Sequence, residues 1–197
     1  VAYGMLLFIM SVGLSITMGL MGFVNLAHGA FAMAGGYVLV SLMVGLGVPF
    51  IAALVLAAVF VAVLSIPFER YLYRRLYEAD ELDHVLLSIG LVFMATAAIT
   101  FIYGPSAVSI TVPDYLNGQV DLGFGTFPAY RTFIIGVGGL LILGLWYGFE
   151  GTIIGAKIRA AVDNRRMAQS IGINVDRLFV IAFALGSGLA ALGGGLA

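Results

Sequence analysis

No Asp, Glu, Lys or Arg occurs between Val1 and Phe68. A run of that length holds three crossings of a bilayer, because a helix rising about 1.5 Å per residue needs roughly 20 apolar residues to traverse the hydrocarbon core. With charge absent, Gly, Pro and isolated polar residues mark the breaks, which predict spans at Tyr3 to Met21, Val24 to Val48 and Pro49 to Phe68. The second is unusual, opening with Phe23-Val-Asn25-Leu-Ala-His28-Gly29 and carrying Gly35 and Gly36. Polar groups and helix weakeners at membrane depth predict a discontinuous helix, since irregular backbone survives in a bilayer only where protein buries it or it lines a wet cavity.

Charge returns in a predicted loop at 69–84 with Arg70, Arg74 and Arg75, followed by a span from Val85 to Tyr103. The stretch 104–130 has no Lys or Arg but contains Asp114 and Asp121. A fifth span is predicted from Thr132 to Phe149, then a basic loop over 150–177 with Lys157, Arg159, Arg165, Arg166 and Arg177, and a sixth span from Leu178. Short cytoplasmic loops accumulate Lys and Arg, so 69–84 and 150–177 are expected in the cytoplasm, 104–130 outside, and Val1 outside. The expected fold is all-α: a single polytopic transmembrane bundle over 1–197, with room for about six spans. Small residues at Gly144 and Gly148, and at Gly186, Ala190 and Gly194, have the spacing that lets helix backbones pack closely in lipid.

Composition agrees with that reading. The 197 residues are 62% hydrophobic and 10% charged, with net charge −1 and mean hydropathy +1.12. Soluble domains carry about 25% charged residues, so a cytosolic enzyme is excluded and the lipid bilayer is the expected solvent. The balance of charge also removes the basic footprint that nucleic acid requires. Without Cys, thiolate metal sites and cysteine nucleophiles are absent. The chain begins at Val1 and stops at Leu196 and Ala197 within an apolar run, which reads as a fragment; the long apolar start is expected to stay in the membrane rather than be cleaved as a signal.

Candidate chemistry is sparse. No span interior holds a clear carboxylate, Lys or Arg, whereas proton-driven transporters need such groups at depth. His28 has two readings, a neutral hydrogen-bonded structural group or a proton carrier. His84 has no His or Cys partner at ligand spacing, so no metal site is expected. Gly151-Thr-Ile-Ile-Gly155-Ala-Lys157 has the wrong spacing for a phosphate loop, so the chain is not expected to hydrolyse ATP. Ser187 lies between Gly186 and Gly188 in the packing series, and no catalytic residue is assigned. Ala156 to Ile171 predicts one amphipathic helix with Ala160, Asn164 and Ala168 in a stripe and Gly172 as its stop. It could rest on anionic lipid or insert into the groove of a cytoplasmic partner, and the residues alone leave both open.

Taken together, Gly22-Phe-Val-Asn25-Leu-Ala-His28-Gly29-Ala-Phe-Ala-Met-Ala-Gly35-Gly36-Tyr37 and Gly155-Ala-Lys-Ile-Arg159-Ala160-Ala-Val-Asp-Asn164-Arg-Arg-Met-Ala168-Gln-Ser-Ile-Gly172-Ile173-Asn174 resemble the permease subunits of ABC importers for branched-chain amino acids. Pro113-Asp-Tyr-Leu-Asn-Gly118 and Phe183-Ala-Leu-Gly-Ser-Gly-Leu-Ala-Ala-Leu-Gly193 extend the resemblance over nearly the whole chain. It implies a multi-pass protein of the bacterial inner membrane. It also implies four further components: a paired related permease, two cytoplasmic ATPase subunits that bind the ATP, and a periplasmic or surface-tethered binding protein that delivers substrate. No cofactor is implied in this chain. Carried over by the resemblance, Gly155, Arg159, Ala160, Asn164, Ala168, Gly172 and Ile173 match the loop that docks on an ATPase, which favours the partner reading of that loop. Asn25, His28 and Gly29 match the broken-helix motif of the translocation path. One departure is Ala30, where many relatives carry an acidic residue. Close relatives carry urea, short amides or other small amino acids, and a simple-sugar branch has similar architecture. The competing class is a secondary transporter working without ATP.

Overall fold

The computed structural model describes residues 1–77, 79–105, 113–121 and 126–197. Among them, α1 runs over Ala2–Met21, α2 over His28–Val40, α3 over Phe50–Tyr71, α4 over Glu81–Tyr103 and α5 over Ala129–Glu150. Two short helices follow, α6 at Ile153–Asp163 and α7 at Arg165–Ser170, before α8 at Val175–Leu196. A π-helical turn, Ser41–Gly45, prolongs α2, and a 3-10 turn, Tyr73–Leu76, prolongs α3. Six helices among the described residues are long and apolar enough to cross a membrane. Helices satisfy every backbone group within one segment, which hydrocarbon demands.

Their ends follow local chemistry. Gly22 adopts φ +79° and stops α1, its N–H reaching the Met18 carbonyl at 2.9 Å. Pro49 precedes α3 as its N-cap, where its own missing N–H costs nothing. Pro67 lies inside α3 without ending it, so Glu69 and Arg70 remain helical and the connection to α4 is shorter than the expected 69–84. Glu78, within that connection, lies outside the described residues.

The bundle is built around α8, the most buried span, with α1, α2 and α3 packed on it. Small residues make this possible. A Cβ on Gly186 would stand 2.7 Å from the Gly13 carbonyl oxygen of α1, and one on Gly194 would stand 1.9 Å from that of Ala32 in α2. Gly144 and Gly148, expected to act similarly, face open space among the described residues, whereas the α8 series forms a packing seam. Ser187 is buried in that seam at 2% exposure.

Gly35 and Gly36, expected to weaken the second span, do not interrupt α2, which stays helical from His28 through the π turn. Gly35 instead admits the backbone of α8, since its Cβ would meet the Cα and carbonyl oxygen of Ala191 at 2.3 Å. The irregular backbone of this region is confined to 22–27.

At one end, Arg74 is ion-paired with Asp176, which puts the two basic loops together as charge asymmetry requires. At the other end, Tyr130 donates its hydroxyl to the Leu196 carbonyl at 2.7 Å, and Ser41 meets the Tyr103 hydroxyl. The expected outer loop, 104–130, includes 106–112 and 122–125, which lie outside the described residues. Its remainder contains a 3-10 turn at Asp114–Leu116 and an antiparallel pair, β1 (Gln119–Asp121) with β2 (Thr126–Pro128), in the register Val120 opposite Phe127. It ends at Pro128 because α5 begins at Ala129.

Candidate functional site

Two regions hold the candidate residues, and a cluster of side chains lies between them. The first is the link from α1 to α2. Asn25, 3% exposed, uses its Oδ1 to accept from the Ala27 N–H at 3.0 Å and from the Tyr73 hydroxyl at 2.7 Å. Its carbonyl accepts the His28 N–H at 3.2 Å. Asn suits this place because its short amide bonds backbone two residues on, forming a turn without regular structure. Phe23 is sandwiched here, stacked on His84 with centroids 4.0 Å apart and on Tyr73 at 5.7 Å. Tyr73 and His84 are buried, so the link is enclosed by the end of α3 and the start of α4.

His28 Nε2 lies 2.8 Å from the Met10 carbonyl oxygen. A carbonyl only accepts, so Nε2 carries the hydrogen and the ring ties α2 to α1. A neutral ring and a protonated one both donate from Nε2, so this contact holds in either reading of His28. Gly29 is exposed, with open space where a side chain would project. Asn25 and His28 are therefore joined through one turn, while Gly29 stands apart from both sets of contacts.

The second region is the basic loop, where the single helix expected over Ala156 to Ile171 is in fact two. The break is at Asn164, whose backbone is extended (φ −154°) and whose Oδ1 accepts the Met167 N–H at 3.0 Å as the N-cap of α7. Asn is among the strongest N-caps, and this preference overrides the periodicity that put Ala160, Asn164 and Ala168 on one stripe. Ala168 is buried at 2% exposure, Ala160 is partly buried and Asn164 is exposed. Gly172 ends α7 with φ +87°, and the Ile173 N–H closes back on the Ala168 carbonyl at 3.0 Å, the helix stop anticipated from sequence. Ile173 is partly buried.

Gly155 and Arg159 fix the loop to α5. A Cβ on Gly155 would fall 2.1 Å from the Phe149 carbonyl oxygen, so only Gly fits where α6 turns back over α5. Thr152 caps α6, accepting the Gly155 N–H at 3.0 Å. Arg159 donates to the Phe149 carbonyl and lies 3.7 Å from Glu150 Oε2. Ile158, Ala161 and Ala168 pack inward on Leu178, Phe179 and Leu20. Outward stand Lys157, Arg166, Val162, Met167 and Ile171, the last two at 65% and 70% exposure. These apolar side chains escaped sequence reasoning, which treated the face as a stripe of small residues; the cap signals at Thr152 and Asn164 were the clue to the rotation.

Between the regions, Arg165 lies over the rings of Phe179 and Tyr77, 4.9 and 5.7 Å from their centroids. The two rings meet edge to face at 4.8 Å. The Tyr77 hydroxyl donates to Glu69 Oε1, and Glu69 is 1% exposed. Its other oxygen, Oε2, has no hydrogen-bond partner among the described residues. Burial pushes the Tyr77 phenol up, and the adjacent Glu69 carboxylate adds to the shift; Tyr77 stays a donor. No group of three or more metal-ligating side chains occurs among the described residues.

The model of the family described as "Branched-chain amino acid transport system / permease component" matches residues 1–197. The high-affinity branched-chain amino acid transport system permease protein LivH of Escherichia coli K12 is 27% identical, over 94% of this chain and 64% of its own length. A probable branched-chain amino acid transport permease protein LivH of Methanocaldococcus jannaschii is 26% identical over 100% of this chain and 63% of its own. The corresponding protein BraD of Pseudomonas aeruginosa is 24% identical over 93% and 64%. The chain thus spans less than two-thirds of the length of these relatives. No solved structure matches it.

Proposed function

The chain belongs to the permease components of branched-chain amino acid transport systems, multi-pass proteins of the inner membrane, and from that premise we propose that it is one permease subunit of an ABC importer. In this reading it translocates leucine, isoleucine or valine handed over by a substrate-binding protein. Two separate ATPase subunits drive the cycle, and a related permease completes the path. The observation that carries the reading is the family match over all of 1–197.

The geometry supports it from the cytoplasmic side. α6 and α7 are anchored inward by Ile158, Ala161 and Ala168 and present cations with Val162, Met167 and Ile171 outward. Val162, Met167 and Ile171 are all exposed, and apolar side chains set among cations are what a partner protein would cover. Of the residues the resemblance assigned to docking, Asn164 and Gly172 lie on the outward surface and Ile173 half-way. Gly155, Arg159 and Ala168 hold the loop in shape, and Ala160 is half-buried among them. On the path side, Asn25 and His28 hold the irregular link rigid, with Gly29 at its open edge. Coupling then requires that the ATPases contact the loop differently in their open and closed states.

The test is uptake of labelled leucine by proteoliposomes containing the full-length chain with its partner subunits, with and without internal ATP. ATP-dependent uptake that unlabelled isoleucine blocks and urea or ribose does not is the expected result. Uptake indifferent to ATP refutes the importer assignment, and ATP-dependent transport of urea but not leucine moves the cargo to the urea and amide branch.

A further inference from the structure

The contacts of Arg165 suggest how motion enters the bundle. Helix α7 is six residues long, and Ala168 is its one buried side chain. It is flanked by the extended Asn164 and the left-handed Gly172, two joints about which so short a helix can turn. Arg165, on its first turn, lies over Phe179 of α8 and over Tyr77. Tyr77 in turn is fixed to α3 through Glu69, and Arg74 of the same connection is paired with Asp176 at the start of α8. One cation on α7 therefore bears on two spans already bound to each other.

We propose that Arg165 is a positioning residue of the transport cycle, the contact through which displacement of α7 is passed to α3 and α8. This rests on the importer reading above. A planar guanidinium suits the task because it stacks on aromatic faces while its charge keeps the contact attractive as the rings tilt. Tyr77 and Phe179 share the load, and the Tyr77 to Glu69 bond makes the first ring an extension of α3 rather than a free side chain. The 3-10 turn that prolongs α3 reaches the α1–α2 link, because Tyr73 donates to Asn25. A push on Arg165 thus has a continuous route of packed and hydrogen-bonded groups to the proposed path.

The experiment uses the reconstituted complex with the full-length chain and reads three quantities: co-purification of the ATPase subunits, ATP hydrolysis, and leucine taken up per ATP hydrolysed. Arg165→Gln removes the cation, whereas Arg165→Lys keeps it over the rings. Expected for Arg165→Gln are unchanged co-purification, hydrolysis and an uptake-to-ATP ratio lowered about tenfold, within the range of coupling between linked sites. Arg165→Lys, which keeps the charge but not the stacking plane, restores only part of the ratio. Tyr77→Phe, which keeps the ring and loses the bond to Glu69, lowers the ratio by a smaller factor and provides the reading if Arg165→Gln fails to accumulate. An unchanged ratio in Arg165→Gln, or in Tyr77→Phe standing in for it, overturns the proposal. Lost co-purification also overturns it, by making Arg165 a docking residue. The wild type keeps the two readings apart: if its uptake ignores ATP, the importer reading itself falls, whereas ATP-driven wild-type uptake with an unchanged mutant ratio defeats the coupling role alone.

Discussion

Gly35→Ala adds one carbon to α2, at a point 2.3 Å from both the Cα and the carbonyl oxygen of Ala191 and 2.6 Å from its carbonyl carbon. All three are backbone atoms of α8, so no side chain can swing away. Favourable carbon contacts begin at about 3.5 Å, and α2 must retreat from α8 by roughly 1 Å to reach them. Overpacking of this kind costs about 1–3 kcal/mol. Against it stands a gain of at most about 1 kcal/mol from replacing a helical Gly by Ala. The net loss, on the order of 1–2 kcal/mol, corresponds to a fall in Tm of about 2–8 °C for a chain this size. Gly144→Ala is the matched control, because nothing lies within 4 Å of its added carbon and only the propensity gain remains. The assay is heating of purified full-length protein in detergent, followed by size exclusion to count the monodisperse fraction. A Gly35→Ala protein as stable as Gly144→Ala would refute the α2–α8 seam.

Other expectations follow from the site. Asn25→Ala strands the Ala27 N–H and the Tyr73 hydroxyl, each a buried donor costing about 1–3 kcal/mol when unpaired, so its Tm should fall further than that of Tyr73→Phe, and a double-mutant cycle between the two should show coupling. His28→Gln can still donate to the Met10 carbonyl and should keep transport that His28→Ala loses; transport abolished by His28→Gln at every pH would instead make His28 a proton carrier. Met167→Glu with Ile171→Glu puts two carboxylates on the exposed face of the basic loop and should abolish ATPase co-purification while leaving Tm within about 2 °C, as surface changes do; retained co-purification would remove that face from the proposed interface.

Much of this was legible from residue order alone. The charge-free run from Val1 to Phe68 and the alternation of apolar spans with basic loops determined an all-α membrane bundle, because lipid permits few other solutions for backbone hydrogen bonds. The arginines predict that the two basic loops share one side, and they do meet, through Arg74 and Asp176; Gly172 as a helix stop followed from its freedom at positive φ. What a glycine is for was not legible. Gly35, Gly144 and Gly194 look alike in sequence, and only the approach of α8 separates the two that admit a neighbouring backbone from the one that faces open space. Likewise the break at Asn164 set a local cap against a helical period, and the cap prevailed because Ala168 and Ile158 could then both face the core around Phe179. The node of Glu69, Tyr77, Arg165 and Phe179 joins two segments of the chain separated by about a hundred positions. Contacts of that kind come from how helices cross, which hydrophobic pattern constrains to a face but not to a partner, so only the tertiary structure could decide them.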